Sequence, residues 1–192
     1  MEYNGTWKEI WTQKGAMEGT KDDIRIYDGW EKSTANMQET AQRIIKCLDI
    51  KATDRVLEVG CGAGGLARFM DCEYIGIDYS TTLVKRCMEF YQKTAVYSEA
   101  NDIPFRDQYF DKCFSWGVFL YFPTWDYTKM VISEIKRVTK GGIFIGELPK
   151  ESHDSKHQLY MENQFQEAGF MTESGWSEPY CDIRFNAYIT QK

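Results

Sequence analysis

A glycine-rich turn follows a short apolar strand: Arg55-Val56-Leu57-Glu58-Val59 runs into Gly60-Cys61-Gly62-Ala63-Gly64-Gly65. Glycines at such a junction permit a tight turn and let a ligand approach the backbone closely. Gly60, Gly62 and Gly65 fit the pattern GxGxxG, while Gly60, Gly62 and Gly64 fit ExGxGxG with Glu58 in front. These spacings serve different nucleoside-bearing cofactors, and the glycines alone do not choose between them.

The surrounding chain alternates strand and helix signals. Apolar periodicity predicts a helix over 37–48, with Asn36 as its N-cap and Glu39 three residues on. Strands follow at 55–59, 74–77, 95–97, 112–116 and 143–146. Helices are expected over 64–70, from Ser80 to about Tyr91, after an Asp126 cap, and over 156–168. Such alternation implies a parallel sheet with helices on both faces and right-handed crossovers. The last two strand signals, 170–176 and 185–190, are joined by a loop around Pro179 too short for a helical crossover, so this pair should be antiparallel. The expected fold is an α/β, Rossmann-like, doubly wound seven-stranded sheet, mostly parallel with an antiparallel C-terminal strand pair. Residues 1–32 lack clean periodicity, although part of 6–13 reads as helix. Their aromatic content argues against disorder. Residues 1–35 are expected to form an arm or lid on a core of residues 36–192, the whole being a single domain.

Composition narrows the function. Against 23 Lys and Arg stand 29 Asp and Glu, a net charge of −6 with no basic stripe, which argues against nucleic acid as the main substrate. No two of the six cysteines have CxxC spacing, and both histidines lie far from them in sequence, so no metal site is expected and the thiols suit a reducing, cytoplasmic location. No apolar run reaches membrane-spanning length and the N-terminus lacks a signal pattern, so no membrane partner is expected.

Two later segments bear on the ligand. Asp78 ends the second strand, where a carboxylate can accept both hydroxyls of a ribose. Asn101-Asp102-Ile103-Pro104-Phe105 follows the third strand, in a loop beside the first two strand ends. There Asp102 could accept from an adenine amino group and Ile103 could cover the ring.

Taken together, Val56 to Gly64, Ile75 to Ser80, Asn101 to Phe105 with Tyr109 to Trp116, and Arg137 to Gly142 resemble the motifs of class I S-adenosylmethionine-dependent methyltransferases. The closest likeness is to the broad ubiquinone/menaquinone-methyltransferase-like group of small-molecule enzymes. The turn before the fifth strand lacks the proline often found there, and residues 1–35 match no motif of the group. The resemblance implies S-adenosyl-L-methionine as cofactor and S-adenosyl-L-homocysteine as product. It also implies that Glu58, Gly60, Cys61 and Gly62 surround the methionine moiety, that Asp78 and Tyr79 hold the ribose, and that Asn101, Asp102 and Ile103 hold the adenine. Trp116 would face the methionine or the methyl group. The alternatives are an NAD-dependent oxidoreductase, a non-catalytic binding module, or a protein or RNA methyltransferase of the same fold.

Methyl transfer is an in-line displacement at a sulfonium carbon, so alignment is the main task and a base is needed only for a protonated nucleophile. The only histidines, His153 and His157, follow the fifth strand and are candidate bases, together with Tyr121. Trp7, Trp11 and Trp30 of the arm, with Tyr121, could wall the pocket of a small amine or hydroxyl acceptor.

Overall fold

The structure is a computed structural model that describes residues 5–31, 33–152, 154, 156–176 and 181–190. Seven strands form one sheet: β1 (Arg55–Val59), β2 (Glu73–Asp78), β3 (Thr94–Tyr97), β4 (Lys112–Trp116), β5 (Ile143–Pro149), β6 (Met171–Ser174) and β7 (Arg184–Ile189). Their order is β3-β2-β1-β4-β5-β7-β6. The first five are mutually parallel, whereas β7 is antiparallel to both β5 and β6. The chain moves outward from β1 to β3 and then returns to β4. This reversal opens a crevice beyond the carboxyl ends of β1 and β4, the usual ligand position in such sheets.

Strand alternation divides the core. Val56, Phe114 and Phe144 join one buried cluster with α3 (Met37–Leu48) and α4 (Thr81–Tyr91). Leu57, Val59, Cys113, Ile143 and Ile145 join the other, with α5 (Trp125–Val138) and Phe165 of α6 (Glu162–Glu167). Neighbouring strand residues point to opposite faces, so each central strand serves both layers.

Helix α3 begins as expected: the Asn36 side chain accepts N–H bonds from Gln38 and Glu39. Three other expectations change. The segment after the glycine turn contains only a 3-10 turn, Ala67–Phe69. Helix α5 is capped by Thr124, which accepts from Tyr127 N–H at 3.1 Å, while Asp126 lies in the first turn paired with Lys129. Helix α6 starts at Glu162 because the preceding backbone is held elsewhere: Gln158 N–H donates to Leu120 O and Tyr160 N–H to Pro149 O, each at 2.9 Å. The buried Tyr160 hydroxyl also donates to Phe119 O at 2.8 Å. Long-range hydrogen bonds thus outcompete the local helical signal.

The N-terminal arm contains α1 (Trp7–Ala16) and α2 (Ile24–Tyr27). Thr6 and Glu9 form a reciprocal capping box on α1. The Arg25 guanidinium ties the arm together by donating to the carbonyls of Trp30, Ser33 and Ala35. Ile24, Tyr27 and Trp30 are buried in the α3/α4 cluster. Helix α1 lies across the start of α4, where Thr82 Oγ1 donates to Thr12 O at 2.8 Å and Arg86 donates to Gly15 O and Met17 O. Gly15 makes this approach possible, since a Cβ there would sit 2.4 Å from Thr82 Oγ1 and 2.8 Å from Leu83 N. Among the described residues, no helix is long and apolar enough to cross a membrane.

Candidate cofactor and acceptor site

The glycine turn is built for close approach. Gly60, Gly62 and Gly64 have φ of +77°, +52° and +93°, a region that costs little only for glycine. A Cβ on Gly60 would lie 2.3 Å from Val118 Cγ2. The turn's free amides are taken by carboxylates. Gly62 N–H donates to Asp78 Oδ2 at 3.0 Å, Ala63 N–H to Asp28 Oδ1 at 2.6 Å and Gly65 N–H to Asp28 Oδ2 at 2.7 Å. Asp28 comes from the arm, directly after α2.

Two adjoining cavities lie over this turn. One is lined by Trp11, Asp28, Trp30, Glu58, Cys61, Leu83, Trp116 and Gly117, among others. The second contains Trp7, Lys8, Ser98, Glu99, Ala100 and Tyr127. Gly60, Asp78, Tyr79, Val118 and Tyr121 border both. Helix α1 roofs the pair, with Lys8 bound to Glu99 at 2.5 Å and Trp7 Nε1 donating to Lys156 O at 3.3 Å. The Trp7 ring stacks on His157 at 5.2 Å, and the Tyr121 ring meets Trp7, Trp11 and His157 edge-on.

Three carboxyl groups gather at this turn. Burial raises the carboxyl of Asp28 to about 7, against the pull of its two amide donors. Burial likewise lifts Asp78 to about 6, although Ser80 and Gly62 amides favour its ionised form. Glu58 is pushed well above the usual carboxylate range, again by burial, and accepts a short hydrogen bond from the Tyr74 hydroxyl. Three carboxyl groups that gain from a nearby cation therefore face a cavity with aromatic walls. The buried Trp11 indole N–H in the same cavity has no hydrogen-bond partner, leaving one donor for an anionic group. The set fits a nucleoside that carries a sulfonium, an ammonium and one carboxylate. It does not fit a pyrophosphate, because Asp28 already fills the amide nest that would receive it.

Residues 57–146 match the family model described as a methyltransferase domain. Over that stretch, a little under half of its length, the chain is similar to methyltransferase domains. A tRNA (carboxymethyluridine(34)-5-O)-methyltransferase from Arabidopsis thaliana is 34% identical over 91 residues, covering 47% of this chain and 22% of that protein. A fatty-acid O-methyltransferase from Mycolicibacterium smegmatis is 34% identical over 100 residues, covering 47% of this chain and 35% of the relative. The aligned regions thus span well under half of these relatives' own lengths. Magnesium protoporphyrin IX methyltransferase from Synechocystis, crystallised with S-adenosylmethionine, shares the fold at 14% identity with a TM-score of 0.65, over 96% of this chain and 91% of that one.

The fold gathers most of the residues singled out in the sequence. Glu58, Gly60, Cys61, Gly62, Asp78, Tyr79, Trp116 and Tyr121 all line the cavities, as do Trp7, Trp11 and Trp30 of the arm. His157 packs against Trp7 and Tyr121, and its Nδ1 lies 2.5 Å from Ser152 Oγ. His153 lies outside the described residues. Asp102 and Ile103 are not brought to either cavity. Asp102 is exposed, and Ile103 is buried in the α5 layer, where its N–H donates to Glu134 and its carbonyl accepts from Arg137. Asn101 stands behind Tyr127, accepting its hydroxyl at 3.2 Å. Their place at the cavity is taken by Glu99 and Ala100. The signal for Glu99 was present, an acid just past the end of β3 as Asp78 is at the end of β2. Asp28 carried no comparable signal, because its 35-residue separation from Ala63 follows no spacing rule.

Proposed function

We propose that the protein binds S-adenosyl-L-methionine in the paired cavities and transfers its methyl group to a small-molecule acceptor, an amine or a hydroxyl. The observation that carries this reading is the Asp28–Glu58–Asp78 carboxylate group around the glycine turn, facing aromatic walls and one orphan indole donor. The bound cofactor supplies an electrophilic methyl group on a good leaving group. Asp78 and Tyr79 would hold the ribose, and Glu58 with the Gly60–Gly62 backbone the methionine moiety. Glu99 and Ala100 replace Asp102 and Ile103 as the residues assigned to the adenine. Trp116 and Tyr121 would face the acceptor, and α1 would exclude water from the reacting pair.

A small acceptor is favoured by the roof. Helix α1 sets Trp7, Lys8 and Trp11 against the two cavities, an aromatic lining that suits a small acceptor, and the acidic balance gives no footing for RNA phosphates. The free thiols of Cys47, Cys61, Cys72, Cys87 and Cys113 suit a reducing, cytoplasmic location. His157 is assigned to closing the site through Trp7 rather than to proton transfer.

The test is isothermal titration with S-adenosylmethionine, S-adenosylhomocysteine and NAD, followed by tritiated-methyl transfer to amines, phenols and carboxylic acids. Binding of NAD without S-adenosylmethionine would overturn the reading.

A further inference from the structure

Glu147 lies at the carboxyl edge of β5 and breaks three rules at once. It is a non-glycine residue with φ +65°, it sits where the β5/β7 register shifts between Ile145 and Leu148, and it is 4% exposed. Its Oε2 accepts from Arg184 Nη1 at 2.5 Å, but Oε1 has no hydrogen-bond partner. Bulges next to sites re-aim a side chain, and left-handed strain in a non-glycine residue persists only where the surroundings hold it. An orphaned buried carboxylate oxygen calls for an explanation of its own.

Its position supplies one. Gly146 is the register partner of Trp116, and Gly117 N–H donates to Gly146 O at 3.2 Å. Trp116 and Gly117 both line the cofactor cavity, and a Cβ at Gly117 would meet nothing within 4 Å. Glu147 is therefore one residue from the strand edge that borders open space beside the proposed methyl donor. The positive charge of its partner Arg184 also reaches the buried Tyr121 hydroxyl, tying this pair to the aromatic side of the site.

We propose that Glu147 is the acceptor-recognition residue and that the acceptor is an amine. This rests on the methyltransferase reading above. A carboxylate oxygen accepts hydrogen bonds and donates none, so it selects an N–H group and repels a carboxylate acceptor. The nitrogen lone pair forms the new C–N bond while the C–S bond breaks and its electron pair stays on sulfur. The positive charge passes from sulfur to nitrogen, and the N–H proton remains on the product ammonium until release to water. With the amine held beside the β5 edge, Glu147 Oε1 would attract that developing charge, and its attraction would grow along the reaction, as electrostatic catalysis requires. Arg184 fixes the carboxylate through the other oxygen.

The experiment compares the wild type with Glu147→Gln and Glu147→Asp. Benzylamine, phenethylamine and tryptamine are set against the matched phenols and carboxylic acids. Two readouts are used: tritiated-methyl transfer, and thermal shift of the S-adenosylhomocysteine complex on adding each compound. Amines alone should be methylated and should stabilise the complex. E147Q should lower kcat/KM at least about tenfold, with partial recovery in E147D, the size expected for one charge-assisted hydrogen bond. S-adenosylmethionine affinity should stay within about twofold in both variants, showing that the fold and the cofactor site survive. Turnover of phenols or acids in preference to amines, an unchanged kcat/KM in E147Q, or no amine methylated or bound would each overturn the proposal. Loss of S-adenosylmethionine binding by the wild type would instead overturn the reading beneath it.

Discussion

The carboxylate of Asp28 straddles the glycine turn, one oxygen on Ala63 N–H and the other on Gly65 N–H, at 2.6 and 2.7 Å. An arm residue thereby holds the backbone that the cofactor must approach. Asp28→Ala should leave two turn amides without partners and weaken S-adenosylmethionine binding roughly tenfold or more, read by titration calorimetry. Unchanged affinity would show that the turn keeps its shape without the arm.

The same carboxyl sets a pH dependence. Asp28 at about 7 and Asp78 at about 6 both exceed the ordinary 3.8 of an aspartate. A raised carboxyl adds stability that is full below its unfolded value and lost as pH rises through its folded one. The ligand-free protein should therefore lose Tm between about pH 5 and pH 8, and Asp78→Asn should flatten part of that slope. A cationic ligand reverses the balance by favouring the ionised forms. S-adenosylmethionine should bind more tightly at the upper end of this range and release protons as it binds, measurable by calorimetry in buffers of different ionisation enthalpy. Tighter binding at the lower end would refute the carboxylate assignment.

Gly60→Ala combines two faults, a left-handed φ and a Cβ 2.3 Å from Val118. It should cost roughly 1–3 kcal/mol of stability and abolish detectable cofactor binding, by denaturant melts and titration. Gly15→Ala has normal backbone but a Cβ 2.8 Å from Leu83 N. It should push α1 off α4 and raise KM for the acceptor more than it lowers Tm.

Closure by α1 is best probed through Trp7. The ring stacks on His157 and its N–H reaches Lys156 O, so Trp7→Ala should speed cofactor release while the core melts normally. His157→Ala should follow the same pattern and keep the pH profile of turnover. A new pH dependence in that variant would make His157 a base. Deleting the first 30 residues would be a poor test, because Ile24, Tyr27 and Trp30 belong to the buried core.

Local sequence determined what depends on near neighbours. The β1 strand, the left-handed glycines, the Asn36 cap and the Asp78 strand end are set by spacing and backbone freedom within a few residues, and the two-face burial of Val56 and Leu57 follows from period-two alternation. Tertiary structure alone decided what depends on distant partners. Strand β7 enters between β5 and β6, so a single strand runs against the rest, a choice that no local signal encodes. The helix expected from 156 starts at Glu162 because Leu120 and Pro149 carbonyls capture the chain first. Asp28 reaches Gly65, and Glu147 turns against Arg184, because the packed arm and the β5 bulge bring together groups that sequence spacing keeps apart.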